Sequence, residues 1–169
     1  MQKNDTVIQF SGLKSGKYSY HYTLDDEFFS RFENDEITKS SVDFQVNLEK
    51  TERTMLFSFT FEGIVTTSCD RCLDPLDVSV SGSQTLCVKI SDSEQTDEED
   101  VVILPENAFK IDLAQWMYEY VVIAMPMQKV HAENECNQEM LKYLKNEDGH
   151  QSSDFDPRWD ELLKLKNKQ

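Results

Sequence analysis

The sequence predicts an α+β fold: a mostly antiparallel β-sheet or partly open barrel, with a helix packed on it near residues 112–125 and short C-terminal helices. Two observations carry the sheet. Val42, Phe44, Val46 and Leu48 alternate with Asp43, Gln45 and Asn47, which gives a strand one apolar and one wet face. After the polar link Glu49–Thr54, Met55, Phe57, Phe59 and Phe61 repeat the alternation, so the pair reads as an antiparallel hairpin. A third observation carries the helix. Leu113, Trp116, Met117, Tyr120, Ile123 and Ala124 recur at helical spacing, and Pro126 ends the run.

The remaining elements follow in order. Val7–Phe10 starts a strand that Ser11-Gly12 breaks, and Tyr18, Tyr20 and Tyr22 alternate with polar residues as in a half-exposed strand. Asp25–Phe32 makes a short helix with acids in its first turn and Phe28, Phe29 and Phe32 on one face. Gly63–Thr67 extends the second strand of the hairpin. Leu76–Ile90 is a further extended segment, with Gly82 expected at a bend or bulge. Val101–Leu104 is a short strand ended by Pro105. Asp112 is placed to cap the following helix, with Gln115 completing a capping box, and Tyr120–Met127 is expected to pack on the sheet. A short helix is expected within Glu139–Gly149, and Asp156–Lys166 reads as an amphipathic helix with a basic end.

One domain covering residues 1–169 suits this length. Within it, 91–100 reads as a solvated acidic loop, and 146–155 as a flexible connection to the C-terminal amphipathic segment. No run of eighteen apolar residues predicts a membrane span, and no apolar leader follows Met1, so a cytoplasmic setting with reduced thiols is expected.

Seventeen basic and thirty-two acidic residues give a formal net charge of −15. Such a surface repels nucleic-acid backbones, whose phosphate contacts dominate affinity, and attracts basic proteins. The aromatic row Phe57–Phe61 has few basic residues near it, which favours a core role over a base-stacking platform.

Cys69-Asp70-Arg71-Cys72, just past a strand, has the spacing with which two thiolates grip one zinc ion. Two further ligands are then needed. His131 and Cys136, after Pro126, are the candidates, and Cys87 is a spare better suited to packing in its strand. Three readings of the Cys-x-x-Cys stay open: a structural metal site, unmetallated thiols that pack a turn, and redox chemistry. The last is disfavoured because an extended segment, not a helix, follows the pair. No catalytic constellation assembles. The three histidines are scattered, the carboxylates cluster on polar segments, and five glycines form no phosphate loop. An enzyme is not expected.

Three segments in order resemble the bacterial YceD family (DUF177). They are Gly63 followed by Cys69-Asp70-Arg71-Cys72-Leu73-Asp74-Pro75; Ile111-Asp112-Leu113 running through Glu119 to Ala124-Met125-Pro126, His131 and Cys136; and Asp156-Pro157-Arg158-Trp159 with Leu162. The family pattern often has a second proline where this chain has Gln128-Lys129. The resemblance implies a non-enzymatic part in accumulation of large-subunit (23S) ribosomal RNA. The partner implied is a basic ribosomal protein or a pre-large-subunit particle. The alternatives are direct RNA binding through Arg71, Lys129, Arg158, Lys164, Lys166 and Lys168, or a zinc- or thiol-dependent regulator.

Overall fold

A computed structural model describes residues 6–32, 36–91, 101–132 and 135–147, with side chains as far as Tyr143. The acidic stretch 92–100, most of the 146–155 connection and the segment 156–166 lie outside the described residues. Two compact units divide the chain, residues 1–130 and 131–169.

The first unit holds the sheet. Its strands are β1 (Val7–Ile8), β2 (Gly16–Asp25), β3 (Lys39–Lys50), β4 (Thr54–Ser68), β5 (Pro75–Ile90), β6 (Val101–Leu104) and β7 (Ile111–Asp112). Between β2 and β3 lies α1 (Asp26–Phe29), continued by a 3-10 turn (Ser30–Phe32); α2 (Ala114–Ala124) follows β7. Five strands form an open sheet in the order β2-β3-β4-β5-β6, antiparallel except for the last pair, while β1 and β7 form a small antiparallel pair of their own. This is the mostly antiparallel, unclosed α+β architecture that the alternation predicts.

Alternation decides which face is buried. Val42, Phe44, Val46 and Leu48 on β3 and Met55, Phe57, Phe59 and Phe61 on β4 are all buried, and their polar neighbours are exposed. The link between the two strands is tight: Thr51 N–H donates to Thr54 O at 2.8 Å, leaving Glu52-Arg53 at the tip. Phe44 and Phe61 stack across the strands with ring centroids 4.7 Å apart, a cross-strand aromatic pair. The aromatic row is core.

On the buried face, α1 contributes Phe28 and Phe29, and the Asp25 carboxylate caps it by accepting from Phe28 N–H at 3.2 Å. Phe32 stacks on Tyr118 of α2 at 4.2 Å, which ties the 3-10 turn to that helix. Helix α2 itself buries Leu113 at its entry, then Met117 and Val121.

Four expectations about these elements need correction. Asp112 is a strand residue and not the helix cap: Leu113 holds the cap position, and Gln115 bonds Glu119 at 2.6 Å and completes no capping box. The Asp112 carboxylate still accepts from Ala114 N–H at 2.9 Å and from the Thr6 hydroxyl at 2.6 Å, so it joins the helix start to the β1–β7 pair. The buried line of α2 advances in steps of four, so Val121 is inside while Ile123 is 71% exposed. For the same reason Tyr120–Met127 packs only in part, and Met127 is fully exposed. Finally, Gly82 marks no bulge. β4 and β5 stay in continuous register from Ser68–Pro75 to Thr54–Lys89, with Gly82 opposite Phe61. A Cβ at Gly82 would stand 2.8 Å from the Phe61 ring, so its role is to make room for that ring.

Gly63 is the tighter constraint. A Cβ there would sit 2.2 Å from Ser41 O and 2.5 Å from Val42 Cα, which are backbone atoms of β3. Gly63→Ala is therefore expected to destabilise the protein by about 3 kcal/mol, at the upper end of overpacking costs. Gly82→Ala, which meets a side chain that can rotate, is expected to cost less. Urea melts of both variants check the order, and equal costs would contradict it.

Candidate metal centre

β4 leaves the sheet at Ser68 and β5 re-enters it at Pro75, so Cys69–Asp74 must reverse the chain. Cys69 N–H donates to Asp74 O, and Leu73 N–H donates back to Cys69 O, both at 2.9 Å. Leu73 turns the corner with φ of 63°, a left-handed conformation that costs a leucine about 1 kcal/mol. The Leu73 side chain stays exposed, so no packing compensates at this residue. The turn leaves Cys69 and Cys72 buried, with Asp70 and Arg71 exposed between them.

A clamp holds this turn to the chain that follows α2. Asp70 N–H donates to Lys129 O at 2.7 Å, and Lys129 N–H donates to the Asp70 carboxylate at 2.6 Å. The Lys129 ammonium, only 15% exposed, pairs with Glu36 at 3.3 Å. Lys129 is thus engaged at both its backbone and its side chain, which removes it from the basic patch that the RNA-binding alternative uses. Among the other residues of that patch, Arg71 is exposed on the turn, and Arg158, Lys164, Lys166 and Lys168 lie outside the described residues.

Lys129 stands two residues before His131. At 3.8 Å per residue, the Cα of His131 is within roughly 7–8 Å of that of Lys129. In the second unit, His131 Nδ1 lies 3.9 Å from Cys136 Sγ. Glu135 N–H donates to Ala132 O in the turn between them, and Asn137 caps α3 (Gln138–Glu147) by accepting from Glu139 N–H at 3.0 Å. Cys136 is therefore fixed immediately before a capped helix, and it is buried.

Cys69 and Cys72 of the first unit and His131 and Cys136 of the second make up a group of four metal-ligand-type side chains. A tetrahedral zinc ion with Zn–S of about 2.3 Å and Zn–N of about 2.0–2.1 Å separates its ligands by roughly 3.5–3.8 Å. The donor set is the Cys₃His type of structural zinc sites, so this cluster could coordinate a metal. None of the four cysteines is in a disulfide. Cys87 is not part of the cluster. It is half-buried on β5, opposite Leu56 and beside Val101 of β6, on the side of the sheet away from Leu86 and Val88. His21 lies on the wet face of β2, opposite Gln45.

The clamp itself has no sequence signal, since an Asp between two cysteines looks like any turn residue. Only the fold shows that it fixes the chain just ahead of the second ligand pair.

Residues 57–166 match the model of a family described as "Large ribosomal RNA subunit accumulation protein YceD". The chain belongs to the YceD family. The match begins within β4 and includes all four cluster residues. It ties YceD proteins to accumulation of the large subunit's RNA, an accessory part in ribosome biogenesis, and supports a non-enzymatic role. Neither curated proteins nor solved structures gave a match. No helix among the described residues of this YceD chain is long and apolar enough to cross a membrane.

Asp70→Ala removes the acceptor for Lys129 N–H and is expected to cost about 1 kcal/mol, the usual worth of such a bond at an exposed site. Exchange of the Lys129 amide with solvent deuterium is expected to speed up at least tenfold. An unchanged rate at that amide would contradict the clamp.

Proposed function

We propose that this YceD protein supports large-subunit RNA accumulation by binding a basic ribosomal protein, alone or on a pre-large-subunit particle, with no catalysis of its own. The observation that carries this reading is the net charge of −15 on a chain whose family is tied to that RNA. An acidic surface gains little from phosphate contacts, while it raises the encounter rate with a basic protein. Engagement of Lys129 by Asp70 and Glu36 weakens the direct-RNA alternative further. The test is an affinity pull-down from the protein's own cells at near-physiological salt, split with and without ribonuclease. A small basic large-subunit protein that survives digestion is the expected result. Large-subunit RNA with many proteins, all lost on digestion, would transfer the function to direct RNA or particle binding.

Zinc at Cys69, Cys72, His131 and Cys136 is the second part of the proposal, in a structural role. Bound there, the metal would supply folding free energy that the thiol turn alone lacks. The buried sulfurs, the His131–Cys136 approach and the Cys₃His donor set support it. Purified, reduced protein is expected to carry one zinc per chain and to lose at least about 5 °C of melting temperature on chelation. That shift corresponds to roughly 1–2 kcal/mol in a protein of this size. Cys136→Ser is expected to lower the zinc content in the same way as Cys69→Ser. Metal-free protein with a melting temperature indifferent to chelator would sink the site and leave the packed-thiol reading.

A further inference from the structure

β5 is sixteen residues long, yet β6 covers its outer edge only from Cys87 to Ile90. The ladder with β4 shows which backbone groups the rest of that edge presents. Cys69 N–H donates to Asp74 O, and Ile90 N–H donates to Arg53 O at the far end of the same unbroken register. In an antiparallel ladder the bonded pairs recur at every second residue. Even-numbered residues of β5 therefore face β4, and Asp77, Ser79, Ser81, Ser83 and Thr85 turn their N–H and C=O groups outward. Ser91 N–H, bonded to Leu104 O on the β6 side, confirms the parity. No described strand pairs with the outward groups of these five residues.

Long open edges are a liability that folded proteins blunt with lysine, proline, bulges or very short strands. From Asp77 to Thr85 this edge has no lysine, no proline and no bulge. It also runs into a groove of about 470 Å³ lined by Gln84, Thr85, Leu86 and Val101, with Trp116 and Tyr120 of α2 as its apolar wall. A strand added in line with β6 would find main-chain partners along the edge and an aromatic surface for alternate side chains.

Charge selects the occupant. Asp74 and Asp77 stand at the start of the edge and Glu62 is paired opposite Ser81; Arg71 and Lys89 are the opposing charges nearby. With −15 on the whole chain, a second copy is repelled and a basic segment is attracted. On the other edge strand, β2, Lys17 is paired with Glu49 at 3.4 Å and the strand ends in Asp25.

We propose that the outer edge of β5 from Asp77 to Thr85 binds an extended lysine- or arginine-bearing peptide segment as an added β-strand. This rests on the proposed function, for which it supplies the docking surface and its chemistry.

The test is residue-resolved amide exchange on the full-length protein, with a nine-residue peptide of alternating Lys and Val at near-physiological salt. Amides of Asp77, Ser79, Ser81, Ser83 and Thr85 are expected to exchange freely alone and to slow at least tenfold with peptide. A peptide with Glu for Lys is expected to leave them unchanged. Ser79→Pro with Ser83→Pro removes two outward donors without touching the β4 ladder, and should weaken binding at least tenfold. If that variant does not fold, a peptide N-methylated at alternate residues must lose binding instead. The proposal is overturned if the odd-numbered amides gain no protection, or if they are already protected in the free protein. In the second case, dependence on protein concentration would assign the edge to a second copy, and independence to the chain's own remaining segments. A pull-down separates this from the broader reading. A proline variant that loses the peptide but keeps its basic ribosomal partner sinks only the edge; wild-type protein that binds the peptide but recovers no ribosomal component sinks only the ribosomal reading.

Discussion

The register of β4 is the constraint on which the rest of the first unit depends. Side chains in a strand alternate between faces, so a slip of one residue would turn Met55, Phe57, Phe59, Phe61 and Val65 to solvent. The same register sets Gly63 against the backbone of Ser41 and Val42, and Gly82 under the Phe61 ring. It delivers Cys69 to the end of the ladder, where the chain must reverse. It also fixes which half of the β5 backbone faces outward. The core, the cysteine turn and the open edge are three consequences of one pairing.

Around that register, polar contacts fix the places where the chain changes direction. Asp25 caps α1, Asp112 joins the α2 start to Thr6, and Asp70 clamps Lys129. Each uses a carboxylate to satisfy a backbone N–H that a helix start or a turn would leave without an intrahelical or ladder partner. These three carboxylates thus have local structural work, as do Asp26, which accepts from Ser40 N–H, and Glu36, which pairs with Lys129. The excess that sets the protein's net charge lies elsewhere, chiefly on wet strand faces and polar segments. That separation lets a strongly acidic surface coexist with a dry aromatic core.

The cysteine cluster and the β5 edge have different chemistry. Thiolates and an imidazole suit a soft or borderline metal ion, whereas the edge offers only main-chain groups and an aromatic wall. YceD membership links the chain to large-subunit RNA, but it does not distinguish contact with RNA from contact with a basic protein. The proposal of a basic protein partner rests on the net charge of −15 and on the engagement of Lys129.

Much of this protein was determined by its sequence alone. Alternation through Val42–Leu48 and Met55–Phe61 specified the two central strands, because a period of two permits only one buried face. The Cys-x-x-Cys and the pair His131 and Cys136 could be singled out as candidate metal ligands from their chemistry, and the three ordered motifs pointed to YceD. The tertiary structure decided the rest. Helix periodicity could not choose between Val121 and Ile123, since both lie near one stripe and only the packing of α2 on the sheet selects between them. The cap at Asp112 was misread because a local box was competing with a strand pairing to Val7, more than a hundred residues away. Gly82 was misread because its reason is a ring on the neighbouring strand. The Asp70–Lys129 clamp, the exclusion of Cys87 from the cluster and the open edge of β5 all depend on which strands are neighbours. Strand order is set by long-range packing, and no local pattern of residues encodes it.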